Sequence, residues 1–196
     1  FCLLERVSGT GLMDWLALGP LGCCLMPWQP LAYGFLHVTG GIGQLAFNML
    51  ALYMFGSPLE QTWGGKRFLT FFLVCVAGAG LLQLAVGGWM MAGGAPPYPT
   101  VGASGGVFGL LLGYGMLFPN QRMIVFPLPM EIRARTLVIF YAVLALVLGF
   151  TGLQPGGAHF AYLGGMVFGW LMIRYWRGQP PFGRSGKGPP RMRIVK

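Results

Sequence analysis

Residues 102–118 read GASGGVFGLLLGYGMLF, a serine at the head of an apolar, glycine-rich run that contains no charged residue. Residues 93–99, just before it, hold three prolines. Proline this dense breaks a helix, so a helix is expected to start at Ser104. A helix start leaves backbone N–H groups without intrahelical partners and carries the positive end of the helix dipole. Both can stabilise an oxyanion, and flanking glycines let a polypeptide backbone come close. The same small residues are also ordinary packing material between membrane helices, so the run alone does not decide between a site and an interface.

The surrounding chain decides the solvent. Of 196 residues, 55% are hydrophobic and 9% charged, with mean hydropathy +0.66, whereas soluble domains carry roughly 25% charged residues. No charged residue occurs between Arg67 and Arg122 or between Arg135 and Arg174, and each gap can hold two spans of about 20 residues or fewer. Backbone in lipid must satisfy its own hydrogen bonds, which leaves helices or a closed barrel. Continuous apolar runs, rather than alternation, select helices. Five spans are expected, at residues 38–55, 68–90, 104–118, 136–150 and 158–175, with the third and fourth short. Gly and Pro clusters at 56–65, 93–99, 119–129 and 152–157 should separate them.

The net charge of +9 comes largely from one tail, in which Arg174, Arg177, Arg184, Lys187, Arg191, Arg193 and Lys196 follow the last apolar run. This is the pattern of a cytoplasmic end beside anionic lipid rather than of a nucleic-acid-binding fold. Lys66 and Arg67 follow the first span and Arg122, Arg133 and Arg135 the third, while connections 91–103 and 151–157 carry no cation. Alternate connections therefore face the cytoplasm, with the amino end outside and the carboxyl end inside. A chain that begins with Phe and has an external amino end implies an upstream span cut away, with residues 1–4 as its remnant. The expected organisation is thus a truncated first span and external loop over 1–37, a transmembrane core over 38–176, and a basic, disordered cytoplasmic tail over 177–196. Residues 15–34 are apolar but broken by Pro20, Pro27 and Pro30. With Trp15, Trp28 and Tyr33 they read as an external segment lying partly in the interface, or as a linker. Cys2, Cys23, Cys24 and Cys75 show no paired spacing and read as apolar filler.

Few polar residues interrupt the spans. Gln44 and Asn48, four apart, share a helix face, and Asn48 could donate to an oxyanion or bond a neighbouring helix. The last span reads GAHFAYLGGMVFGW over 157–170, where Gly165 and Gly169 would admit another helix closely. Tyr162 falls on that glycine face, within about 60° and 20° of the two glycines, and His159 lies about 60° away and one turn nearer the outside. His159 is either interfacial or functional. Apart from Arg174 at the inner end of the last one, the spans lack the charged residues a pore or carrier would need. Glu60, on the cytoplasmic side, reads as a partner for Arg67 or a helix end rather than as a catalyst.

With PWQPLAYGFLH at 27–37, LAFNMLALYMFG at 45–56, LEQTWGGKRFL at 59–69, GASGGVFGLL at 102–111, LFPN at 117–120 and AHFAYLGG at 158–165, the chain resembles the rhomboid intramembrane serine proteases, particularly the bacterial ones, from about Trp28 to Trp176. The resemblance implies an all-α polytopic bundle of six spans, of which this chain holds five. It also implies a bacterial cell membrane, transmembrane protein substrates, a Ser–His dyad open to the outside, and neither metal nor organic cofactor; oligomeric state stays open. Ser104 matches the nucleophile of the family's GxSG and Asn48 its oxyanion asparagine. Gln44 stands where a histidine is common, and Tyr162 stands where the catalytic histidine opens an HxxGxxxG pattern, a register that His159 does not fit. A phenol with pKa near 10 is a poor base at neutral pH, and an imidazole near 6.5 a good one. Three alternatives follow: His159 serves as the base, the chain is an inactive rhomboid-like protein that binds transmembrane clients, or Tyr162 is a change in an active parent.

Overall fold

The computed structural model describes residues 11, 15–19, 25–37, 42–94, 99–124, 131–151 and 159–182. The expected amino-terminal remnant, Cys2, Cys23, Cys24 and the tail from 183 onward lie outside the described residues. A short helix α1 (Gln29–Ala32) runs into a 3₁₀ turn (Tyr33–Phe35). Helix α2 (Ile42–Ala51) continues through a π-helical turn (Leu52–Gly56) into α3 (Ser57–Trp63), and α4 (Gly65–Ala92) follows. Then come α5 (Ser104–Leu117), a ribbon of β1 (Arg122–Ile124) and β2 (Glu131–Arg133), α6 (Ala134–Thr151) and α7 (His159–Trp176). The fold is helical as expected, and each of the five apolar stretches holds a helix among its described residues. Of these, α4 and α6 are long and apolar enough to cross a membrane by length and composition.

Two connections differ from expectation. Residues 56–65 do separate two helices, but not at Pro58, which sits in the first turn of α3, where its missing N–H matters little. The helix stops instead at Gly64, whose φ of 79° lies in the left-handed region and whose N–H donates to the Glu60 carbonyl at 2.7 Å. Glu60 thus serves a helix end, and among the described residues it forms no ion pair with Arg67. The connection after α5 holds the β1–β2 ribbon, with Arg122 opposite Arg133 and an exposed Arg122–Glu131 ion pair at 3.2 Å. Strands of three residues are too short to show the alternation that announces a strand.

Helix α7 packs between α4 and α5 through missing side chains. A Cβ on Gly165 would overlap the Gly105 carbonyl, and one on Gly164 would lie 2.9 Å from both Ala79 Cα and the Gly78 carbonyl oxygen. One turn further down, Cys75 fills the space between Gly109 and Gly169: a Gly169 Cβ would be 3.2 Å from its Sγ, and a Gly109 Cβ would overlap it. Cys75 is fully buried in a cluster with Phe71, Leu110, Met166 and Ile173. By contrast, only 17% of the apolar window of α6 is buried, against 44% for α4.

Residues 15–19 and 25–37 are folded onto this bundle rather than forming a linker. Tyr33 is buried and its hydroxyl donates to the Val76 carbonyl at 2.8 Å, while its carbonyl accepts from Gly102 N–H at 3.0 Å. Leu18 and Thr100 exchange backbone bonds of 3.0 and 3.1 Å. The buried Gln29 Oε1 accepts from Gly19 and Met26 N–H. Trp15 and Trp28 stack at 6.3 Å and remain exposed.

The glycine contacts give a direct test. Gly165→Ala is expected to lower the thermal midpoint of the detergent-solubilised chain by at least what an overpacked core costs, about 1–3 kcal/mol. Gly87→Ala, where a Cβ would meet nothing within 4 Å, should leave the midpoint unchanged or raise it. Equal midpoints for the two variants would contradict the packing described.

Candidate active site

Helix α5 begins at Ser104 with no side-chain cap, and its first intrahelical bond runs from Val107 N–H to the Ala103 carbonyl at 3.0 Å. The amides of Ser104, Gly105 and Gly106 therefore precede the hydrogen-bonded ladder. Gly102, two residues upstream, has φ 126°, which L side chains rarely adopt. Its missing side chain leaves the room that two polar groups occupy. A Cβ there would lie 3.1 Å from Gln44 Nε2 and 3.8 Å from Ser104 Oγ. Gln44 Nε2 of α2 and Ser104 Oγ of α5 thus both lie beside the backbone of Gly102.

One turn below Gln44, Asn48 is the buried residue of α2. Its Nδ2 lies 3.2 Å from His37 Nε2. An amide nitrogen only donates, so His37 accepts, as a neutral ring protonated on Nδ1. Burial lowers the pKa of this half-buried imidazole below its usual 6.5, which favours the same neutral form. The sequence reading missed His37 because Asn48 is eleven residues away, a spacing that belongs to no single helix. The signal it left was a histidine just ahead of a span.

The α7 side of the site is aromatic. Tyr162 stacks on Phe108, with centroids at 4.4 Å and planes at 13°. Phe108 follows Ser104 by four residues and so shares its helix face. His159 is 5% exposed and meets Tyr162 edge to face at 5.7 Å. Neither of its ring nitrogens has a hydrogen-bond partner among the described residues. The turn bearing both side chains lies against the Ser104 turn, since a Cβ on Gly105 would be 3.2 Å from the Ala161 carbonyl oxygen. Ser104 Oγ nonetheless forms no hydrogen bond to His159 or Tyr162. Of the residues singled out from sequence, Ser104 and Gln44 both lie beside Gly102, Asn48 lies one turn deeper, and Tyr162 stacks on Phe108 with His159 against it.

A cleft of about 540 Å³ opens beside these residues, between α2 and α6. Asn48, Phe47, Val107, Phe108, Leu137 and Tyr141 are among its walls. Among the described residues, no three His, Cys, Asp or Glu side chains come together in a way that could hold a metal ion.

Comparison with known proteins identifies the family. The rhomboid domain matches residues 25–178. The Arabidopsis thaliana RHOMBOID-like protein 4 is 30% identical over 86% of this chain and 40% of its own length. The Pectobacterium atrosepticum rhomboid protease GlpG is 28% identical over 89% of this chain and 57% of its own length. The Bacillus subtilis rhomboid protease GluP is 38% identical over 43% of the chain. The chain spans well under two thirds of the length of each of these relatives. With most of its residues inside the matched domain, it belongs to the membrane-embedded rhomboid family.

Proposed function

We propose that the chain is a rhomboid-type intramembrane serine endopeptidase that cuts transmembrane protein segments. The observation that carries this reading is the approach of Ser104 Oγ and Gln44 Nε2 to the same backbone at Gly102, with Asn48 one turn below Gln44, at a helix start whose first three amides precede the hydrogen-bonded ladder. At 1.5 Å per residue, the 14 residues of α5 span only about 21 Å, less than the ~30 Å of bilayer hydrocarbon. Chemistry at its outer end then takes place below the membrane surface. The α2–α6 cleft offers a transmembrane segment a sideways approach to it. The distribution of Lys and Arg supports a multi-pass orientation with a cytoplasmic carboxyl end, in a bacterial cell membrane on the strength of the bacterial resemblance.

In the proposed reaction Ser104 Oγ attacks the scissile carbonyl carbon as its proton passes to an imidazole of α7. His159 fills that role, because the phenol of Tyr162 accepts a proton poorly at neutral pH. The tetrahedral oxyanion is held by Asn48, Gln44 and the α5 amides. Collapse expels the amine, which takes the proton from the imidazole. Water then hydrolyses the acyl ester by the same proton path. A second reading, an inactive rhomboid-like protein that binds transmembrane clients, is favoured by one observation: Ser104 Oγ is bonded to neither His159 nor Tyr162.

Labelling by a serine-reactive fluorophosphonate separates the two. The endopeptidase reading expects labelling that vanishes in Ser104→Ala and falls by about 10²-fold or more in His159→Ala. A chain that takes label only after Tyr162→His is the client-binding protein, and one that takes none in any variant is not a serine enzyme. Asn48→Ala should slow labelling by about 10²–10³-fold, the usual loss for one oxyanion donor. An unchanged rate would remove Asn48 from the oxyanion site.

A further inference from the structure

We propose that His37 is a positioning residue for Asn48: its neutral ring accepts one amide hydrogen of Asn48 Nδ2 and so fixes the direction of the other towards Ser104. This rests on the reading of Ser104 as an acyl-transfer nucleophile. Helix α2 is a poor support for an oxyanion donor. Its neighbours Phe47, Met49 and Leu50 are exposed, and Asn48 is its buried residue. An amide on such a helix can turn over or change rotamer unless a partner holds it.

His37 is a partner with a firm base. It follows the Tyr33–Phe35 turn, in which Leu36 is buried and its N–H donates to the Tyr33 carbonyl at 3.2 Å. Tyr33 is bonded through its hydroxyl to α4 and through its carbonyl to Gly102 N–H. The backbone that holds the turn before Ser104 therefore also sets the position of His37. Through the 3.2 Å contact, Asn48 is indexed to the nucleophile by the external segment as well as by the packing of α2.

The arrangement depends on protonation. A doubly protonated ring presents an N–H at Nε2, which the amide could meet only by turning over and offering Oδ1. Asn48 would then direct no N–H at the oxyanion. The competent form is present above the His37 pKa and lost as pH falls through it, below about 6.5. The charged groups on the surrounding helices, Glu60, Lys66, Arg67, Arg135 and Arg174, lie towards the bundle end away from Ser104. Tyr33, Tyr141, His159 and Tyr162 are the other titratable groups near the site.

Asn48 and Asn120 are the asparagines of the chain, so the side-chain amides of ¹⁵N-asparagine-labelled protein in bicelles give a direct readout between about pH 5 and 8. The Asn48 pair should shift with a midpoint below about 6.5, keep that titration in His159→Ala, and lose it in His37→Phe. His37→Gln, whose Oε1 can accept the same hydrogen, should hold the amide in place with no titration. In parallel, His37→Phe should slow fluorophosphonate labelling of Ser104 by about tenfold or more and flatten its acid limb, with His37→Gln recovering most of the rate. An Asn48 resonance indifferent to His37→Phe, or a labelling rate and pH profile unchanged by it, overturns the assignment. Should Ser104 take no label in any variant, Tyr162→His included, the endopeptidase reading fails. The amide titration then decides alone, supporting the His37 pairing if Asn48 follows His37 and overturning it if not.

Discussion

The contact on which the rest depends is between two backbones, where Gly165 of α7 sits on the carbonyl of Gly105 in α5. In lipid, burying apolar side chains between helices gains little over leaving them against acyl chains, so close packing must supply the cohesion. Two helices that meet without side chains gain the densest contact available. Cys75 extends the seam by filling the next gap, between Gly109 and Gly169. The seam fixes the depth and rotation of α7, and with them the approach of the Ala161 carbonyl to the turn that bears Ser104.

That geometry explains why a tyrosine fits at position 162. The ring has a flat partner in Phe108, one turn along from Ser104, and the stack fills the space with apolar contact. His159, one turn away along α7, is buried against the edge of the same ring. Shape and chemistry are therefore separable here: an aromatic ring satisfies the packing whatever its basicity. The polar groups, in contrast, gather on the α2 and external-segment side, where Gln44, Asn48 and His37 each meet a specific neighbour.

The legible parts of the sequence were those governed by local pattern. Uncharged apolar runs gave the helices, and the prolines before Gly102 gave the start of α5 at Ser104. The spacing of Gly165 and Gly169 gave a close helix contact, and the heptad-like distance from Tyr162 to Gly169 put the phenol on that side. What stayed hidden was long-range or weakly patterned. His37 pairs with Asn48 across the end of one segment and the start of another, which no periodicity encodes. Within the cluster 56–65 the helix ends at Gly64, while Pro58 falls in a first helical turn, where proline is tolerated. The anchoring of residues 25–37 depends on Tyr33 reaching Val76, a contact between residues 43 apart.

The sparse burial of α6 has an energetic consequence of its own. In water, prying a helix with Ile139, Phe140, Val143 and Val147 away from its neighbours would expose apolar area at roughly 25 cal/mol per Å². In a bilayer the newly uncovered surface is wetted by acyl chains that are as apolar as leucine, and most of that cost disappears. What resists displacement is local close packing, such as Phe108 against Tyr141 and Val138 in the space left by Gly115. A bilayer thus acts on this wall of the cleft as a competing packing partner, and lipid molecules and protein side chains exchange there at nearly equal free energy.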